Sequence, residues 1–259
     1  MLLIINIIAA VVVVGLVLWS LLDSEKAPNR GIVIAAIAFI VGLAIFGNFF
    51  LESRKVERGL RVVGYASKQF ESDMVKWNLT LQKDASSEGL KEAYKSLTKD
   101  VNDFKAYLIE KGMKDKDIEI QPPTSSPYYS NFGQITGYNV NQSLYLLSHD
   151  IAKAEAIALD PSFFADRGLL VQRSDLQYLY SKLPDLKKEL IGAATKDALA
   201  RAKEVTSSAK TRLGKLKTAR SGVFQITEPY STDVSDYGFY NTSTKAKSIS
   251  VTVTAEFEL

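Results

Sequence analysis

SISVTVTAEFEL (residues 248–259) alternates without a break. Ile249, Val251, Val253, Ala255, Phe257 and Leu259 fall on one face, and Ser248, Ser250, Thr252, Thr254, Glu256 and Glu258 on the other. Strand side chains point to opposite faces with a period of two, so this stretch reads as a strand with one dry and one wet face. That is the pattern of an antiparallel sheet covered on one side. Val75, Trp77, Leu79 and Leu81 repeat it against Lys76, Asn78, Thr80 and Gln82. Leu60 to Ala66, Ile118 to Gln121, Gly137 to Leu147, Gly168 to Val171 and Ser221 to Ile226 are further predicted strands.

Between these strands the period changes. Leu90, Leu97, Val101, Phe104 and Leu108 recur at helical spacing, with Ser86 or Ser87 placed to cap the start and Gly112 to stop the helix. A second helix is predicted from Pro184 and Asp185 to about Lys210. Its inner face, Leu190, Ala194, Ala198, Ala202 and Val205, is small enough for the axis to approach a sheet closely. A shorter helix runs from Asp150 to Leu159 and ends at Asp160-Pro161. Strands and helices in this order predict an α+β domain: one mostly antiparallel sheet with two long helices packed on one face.

The first fifty residues are different in kind. Met1 to Leu22 contains two clearly polar side chains, Asn6 and Ser20, and Gly31 to Leu51 contains one, Asn48; neither run holds a charge. About 21 helical residues span roughly 30 Å, the thickness of a bilayer core. Both runs read as transmembrane helices, about 1–22 and 31–51, joined through DSEKAPNR as a hairpin over residues 1–51. A signal peptide fits the first run poorly: no Lys or Arg precedes it and no small-x-small site follows. Gly42, Ala44, Gly47 and Asn48 are the predicted helix-packing positions in the membrane. Residues 52–58 form a juxtamembrane linker and 59–259 the folded domain.

Two loops, PPTSSPYYSNFG (122–133) and PYSTDVSDYGFYNTST (229–244), are rich in Pro, Ser, Gly and aromatic residues. Tyr128, Tyr129 and Phe132 in the first, and Tyr230, Tyr237, Phe239 and Tyr240 in the second, are candidate interface residues, because aromatic rings bury much area at small entropic cost.

No motif for bond-making chemistry is present. There is no cysteine and a single histidine, His149. Ser148, His149 and Asp150 adjoin in sequence, so their side chains diverge and do not make a triad. Glu71 and Asp73 resemble a carboxylate pair only loosely and read as decoration of a turn. No carboxylate spacing points to a metal and no glycine loop to a phosphate. The net charge of +3 lies in residues 52–259 and is too slight and too dispersed for a nucleic-acid binder. The reading contains no catalytic residue, no metal and no cofactor.

RVVGYASKQFESDMVKW, KGMKDKDIEIQ, ITGYNVNQSLYL, LYSKLPDLKKELIGAATKDALARAKEV, RLGKLKTARSGVFQI and SISVTVTAEFEL, in that order, carry a resemblance. From about Phe46 to Leu259 the chain resembles the bacterial SIMPL-domain (YggE-like) proteins, most closely their membrane-anchored branch. It departs from that branch in having a second, earlier apolar run. The resemblance implies an α+β domain that gathers into rings or larger homo-oligomers, an envelope or stress-related role and no established enzymatic activity.

Counting basic residues alone places the domain in the cytoplasm, since Arg54, Lys55, Arg58 and Arg61 follow the second run while the hairpin loop offers Lys26 and Arg30. Glu52 and Glu57 dilute that run, and long domains translocate largely regardless of charge. The resemblance to exported relatives implies the periplasm. The expected protein is thus a two-pass inner-membrane scaffold whose partners are the lipid bilayer and other copies of itself. The alternative is a binding module for a ligand or envelope protein held between the tyrosine loops.

Overall fold

The computed structural model describes residues 11–12, 14–15, 29–53 and 59–259. The chain divides into two units between Arg58 and Gly59. In the first unit, α1 runs Asn29–Ser53, and its stretch Ile34–Leu51 is long and apolar enough to cross a bilayer. Length and composition of this kind fit a membrane anchor and a signal sequence alike. Residues 11, 12, 14 and 15 are helical; the rest of the expected helix 1–22, most of its loop and linker residues 54–58 lie outside the described residues. Gly42, Ala44, Gly47 and Asn48 all fall on α1.

The second unit is α+β, but it holds two five-stranded sheets where the sequence led us to expect one. In sheet one, β1 (Gly59–Glu71) pairs antiparallel with β10 (Ala246–Glu258) along its whole length, from Gly59↔Glu258 to Glu71↔Ala246. On the far side of β10 lie β7 (Leu216–Ser221) and β8 (Gln225–Thr227), and β9 (Phe239–Tyr240) runs parallel to β8. In sheet two, β5 (Ile135–Ser148) carries β3 (Ile118–Ile120) and β4 (Thr124–Tyr129) on one side and β2 (Met74–Ala85) on the other, with β6 (Leu170–Leu179) beyond β2. Only Ser72 and Asp73 separate β1 from β2. A two-residue link usually joins the strands of a hairpin. Here it is a corner, and each strand goes to a different sheet.

Each sheet has its own helix and its own core. On sheet two, α2 (Leu90–Glu110) places Leu97, Val101, Phe104 and Leu108 against Val75, Trp77, Leu79 and Leu81. Ser86 Oγ accepts the Gly89 N–H before the helix, and Gly112 ends it with φ +88, a conformation that side chains disfavour. Phe104 is the hub: its ring lies 5.7 Å from Trp77, edge to face, and 5.0 and 4.9 Å from Phe163 and Phe164 on the short α4 (Ser162–Ala165). Asp150 caps α3 (Ile151–Ala158), its carboxylate accepting the Lys153 N–H.

On sheet one, α5 (Leu183–Ser208) buries Leu186, Leu190, Ala194, Ala198 and Ala202 against Ile249, Val251, Val253, Ala255 and Phe257. The alanine stripe brings the helix down onto β1 at Gly64, where an added methyl group would overlap the Ala194 carbonyl oxygen and the Ala198 backbone nitrogen. Val205, expected on the inner face, is 48% exposed, and Thr206 takes the buried place with its hydroxyl bonded to the Ala202 carbonyl. One residue of drift along a 3.6-period helix accounts for the exchange.

Two glycines give opposite outcomes. Gly64→Ala forces α5 off the sheet and is expected to cost about 3 kcal/mol, the upper end for overpacking, because the obstacle is backbone. Gly192→Ala, where a methyl meets nothing within 4 Å, is expected to stabilise α5 by about 0.5–1 kcal/mol. Chemical denaturation followed by near-UV circular dichroism reads both; equal midpoints for the two variants would contradict the close contact.

Candidate functional site

The two sheets meet at a polar seam around the Ser72–Asp73 corner. The Asp73 carboxylate accepts the backbone N–H and the hydroxyl of Ser181, which joins β6 to α5, and the Asp73 N–H donates to the Leu179 carbonyl. Burial pushes the Asp73 carboxyl up, but the two Ser181 bonds, its own backbone bond and the nearby His149 together outweigh it, and the group lies below the ordinary carboxylate range. His149 places Nδ1 3.2 Å from the Asp73 main-chain carbonyl, not against Ser181. The Ser181 hydroxyl therefore donates to a carboxylate that these bonds keep ionised. Glu71 sits at the last register position of β1, opposite Ala246, and not beside the Asp73 carboxylate bonds.

A second cluster fastens the other end of the corner. Tyr178 on β6 donates its hydroxyl to Glu155 of α3, and Lys245 Nζ donates to the other Glu155 oxygen at 2.6 Å. The two bonds hold the Glu155 carboxyl below its usual range, while burial and that carboxylate push Tyr178 up to about 12. Lys247 is fully buried on β10, and its ammonium donates to the Asn241 and Thr244 carbonyls, each at 2.6 Å. Desolvation lowers it to about 8.

These pins hold the second aromatic loop. Thr242 offers its carbonyl to the Tyr178 N–H at 2.7 Å, so the loop extends the free edge of β6. Gln225 clamps Ser235 in both directions, donating to its carbonyl and accepting its N–H, and Asn241 donates to Glu228 at 2.6 Å. Tyr230 is held at φ +67, rare for a bulky residue. The rings it presents are almost bare: Tyr230 is 92% and Tyr237 97% exposed. Phe239 and Tyr240 are partly covered and line, with Leu183, Lys187 and Phe224, a cleft of about 430 Å³. Burial and the Asp73 charge hold the Tyr240 hydroxyl above its ordinary value, with the Tyr180 backbone acting the other way.

The first aromatic loop is elsewhere. Tyr128 pairs with Gly137 across β4 and β5 and lays its ring over that glycine, so it is half-buried in its own hairpin. Tyr129 stays exposed at the end of β4, and Phe132 at the tip is 92% exposed. This tip adjoins the Ile135 end of β5, whereas the seam and the second loop adjoin the Ser148 end. Fourteen strand residues separate those ends, about 45 Å. The candidate interface residues thus fall into two groups, and the structure does not bring them together.

Sequence reasoning missed Ser181, Glu155, Tyr178, Gln225 and Lys247. For Lys247 a signal existed: it stands in phase with Ile249, Val251 and Val253, a cation on the dry face of a strand. Among the described residues, no three His, Cys, Asp or Glu side chains converge as a metal site would require.

An α+β domain of two sheets, each roofed by one long helix, with two short helices added over sheet two, is the class of protein that this geometry defines. The family model SIMPL, described as a protein of unknown function (DUF541), matches residues 60–257. The chain belongs to that family. No curated protein matches it.

Lys247 makes the seam pH-dependent with a definite sign. Its pKa is about 8 folded and near 10.5 unfolded, so between those values the unfolded chain binds more protons and stability rises with pH. The free-energy difference between the wild type and Lys247→Met, measured by denaturation at successive pH values, is expected to shift in favour of the wild type from pH 8 to pH 10. A pH-independent difference would contradict the burial of a charged ammonium.

Proposed function

We propose that this protein is a membrane-anchored, non-enzymatic SIMPL-domain protein of the bacterial cell envelope that assembles into a ring- or cage-like homo-oligomer. In this reading an N-terminal helical hairpin crosses the inner membrane twice, the domain lies in the periplasm, and the function is scaffolding or organising an envelope compartment, including under stress.

The observation that carries the proposal is the quantity of surface left without a partner. Among the described residues β1 pairs as a strand only with β10, with Asp197 meeting its outer edge at Tyr65, and β6 pairs along its length only with β2, so each sheet ends in an edge that no further strand shares. Unshared edges favour pairing with another chain unless something blocks them. Tyr65 and Val63 on β1, Phe132 at one end of sheet two and Tyr230 and Tyr237 beside the seam add exposed apolar area. In the polar clusters, by contrast, Asp73, Ser181, Glu155, Tyr178 and Lys245 already bond to one another. α1 supports the membrane anchor, and Asn48 within it supplies a polar group for helix contacts.

A second reading is favoured by the loop geometry: a binding module that uses the second tyrosine loop alone, since its rings are exposed on a backbone fixed by Gln225, Asn241 and Lys247. Rigid aromatic loops bind with little ordering cost.

The full chain extracted in detergent is expected to run as a particle of several copies by light scattering, with a mass that does not change on dilution. A monomer would overturn the scaffold. Because the chain has no cysteine, Phe132→Cys tests sidedness directly. Labelling by an impermeant thiol reagent in cells with a permeabilised outer membrane is expected; labelling only after lysis would place the domain in the cytoplasm.

A further inference from the structure

The second aromatic loop carries a one-sided charge pattern. From Gly222 to Thr244 there is no Lys or Arg, while Glu228, Asp233 and Asp236 supply three acids, in a chain whose net charge is +3. Burial opposes ionisation of Glu228, but its backbone and Asn241 bonds and the nearby Lys247 outweigh that and keep its carboxyl below the usual range. Val234, between Tyr230 and Tyr237 in the sequence, is 81% exposed.

Behind Val234 lies a cleft of about 480 Å³ on the outer face of sheet one, lined by Tyr65, Val223, Val234, Gln225 and Thr252 among others. Asp236 is the one charged residue of that lining. The cleft on the other flank of the loop has the opposite sign, because Lys187 stands there with its ammonium 5.2 Å from the Phe224 ring.

We propose that the face formed by residues 228–237 and the Tyr65–Val234–Asp236 cleft docks a Lys- or Arg-rich segment of a partner protein. The inference rests on reading this loop as a contact surface, and it names the chemistry of the partner. A lysine or arginine stem is apolar and its head cationic. The stem fits against Val223 and Val234, and the head meets the Asp236 carboxylate. The exposed tyrosine faces attract further cations of the same segment. An anionic lipid surface is disfavoured, because the three acids would face its headgroups. The loop needs no ordering to bind, since Gln225, Asn241 and Lys247 already fix its backbone.

The test uses the full-length protein in detergent and a nonapeptide of alanine with four Arg or Lys residues, against a control in which Glu replaces each cation. Calorimetry is expected to detect the cationic peptide and not the acidic one, with affinity falling as salt rises. Asp233→Asn with Asp236→Asn, and separately Tyr230→Ala with Tyr237→Ala, are each expected to weaken binding at least tenfold. Lys187→Glu, in the opposite cleft, is expected to leave it unreduced.

Light scattering on the same variants separates this inference from the assembly reading. Lost peptide binding with unchanged particle mass supports a docking face distinct from self-assembly. Three results would overturn the proposal: equal binding of both peptides, indifference to the loop variants, or collapse of the particle with them, which would make a second copy of the chain the occupant.

Discussion

The approach of α5 to β1 at Gly64 is the constraint on which the domain depends. β1 is the first strand and β10 the last, and their pairing closes sheet one across almost the whole length of the domain. Closing so long a loop costs chain entropy that local structure does not return. α5 offsets that cost by lying flat on both strands, which is possible because Ala194 and Ala198 face Gly64 on β1 while Ala202 packs with Ala255 and Phe257 of β10. Asp197 completes the contact from the helix side: its carboxylate accepts the Tyr65 N–H at 2.8 Å, while Arg201 holds the carboxylate in place. The edge of β1 is therefore partly occupied by its own helix, as the edge of β6 is by Thr242 at Tyr178.

The two cores form separate clusters, joined by polar bonds and by the Phe70 ring of β1 packing 4.9 Å from Tyr180 beyond β6. Sheet two is organised around Phe104 and Trp77, sheet one around the alanine stripe and Ile249. Between them stand Asp73 with Ser181, and Glu155 with Tyr178 and Lys245. Hydrogen bonds of this kind contribute little net stability when made and cost much when broken, so they fix geometry more than they add free energy. The corner at Ser72–Asp73 must stay in place if β1 and β2 are to serve different sheets. The same bonds account for the displaced pKa values that gather here, since Asp73, Glu155, Tyr178 and Lys247 are each held by a hydrogen-bonding partner.

The seam also decides what the molecule displays. The second aromatic loop is tied to it through Thr242, Asn241 and Lys247, so its tyrosines point outward from a fixed base. The first loop is fixed instead by its pairing to β5, with Tyr128 folded onto Gly137 and Phe132 left at the tip. A ligand held between the two loops of one chain would have to bridge most of the length of β5. The loops thus act as separate surfaces at opposite ends of sheet two.

The sequence by itself determined the class of the domain, the dry face of its principal strands, the helices over 90–110 and 183–208 to within a few residues, the apolar run in α1 and the family. These follow from periodicity, capping and composition, which act over a few residues and are written locally. It under-read β6 and β7, whose polar residues, such as Arg173 and Ser174, break the alternation. Trp77 donates to Ser174 at 2.9 Å, so that polar position is satisfied inside the fold.

Only the tertiary structure decided that the strands form two sheets, that Lys247 is buried, and that the aromatic loops lie far apart. Strand pairing is a choice among partners distant in sequence, and a period of two records which face is dry without recording which neighbour shares the edge. A two-residue link such as Ser72–Asp73 is compatible with a hairpin and with a corner, and the bonds that select the corner come from Ser181, more than a hundred positions away.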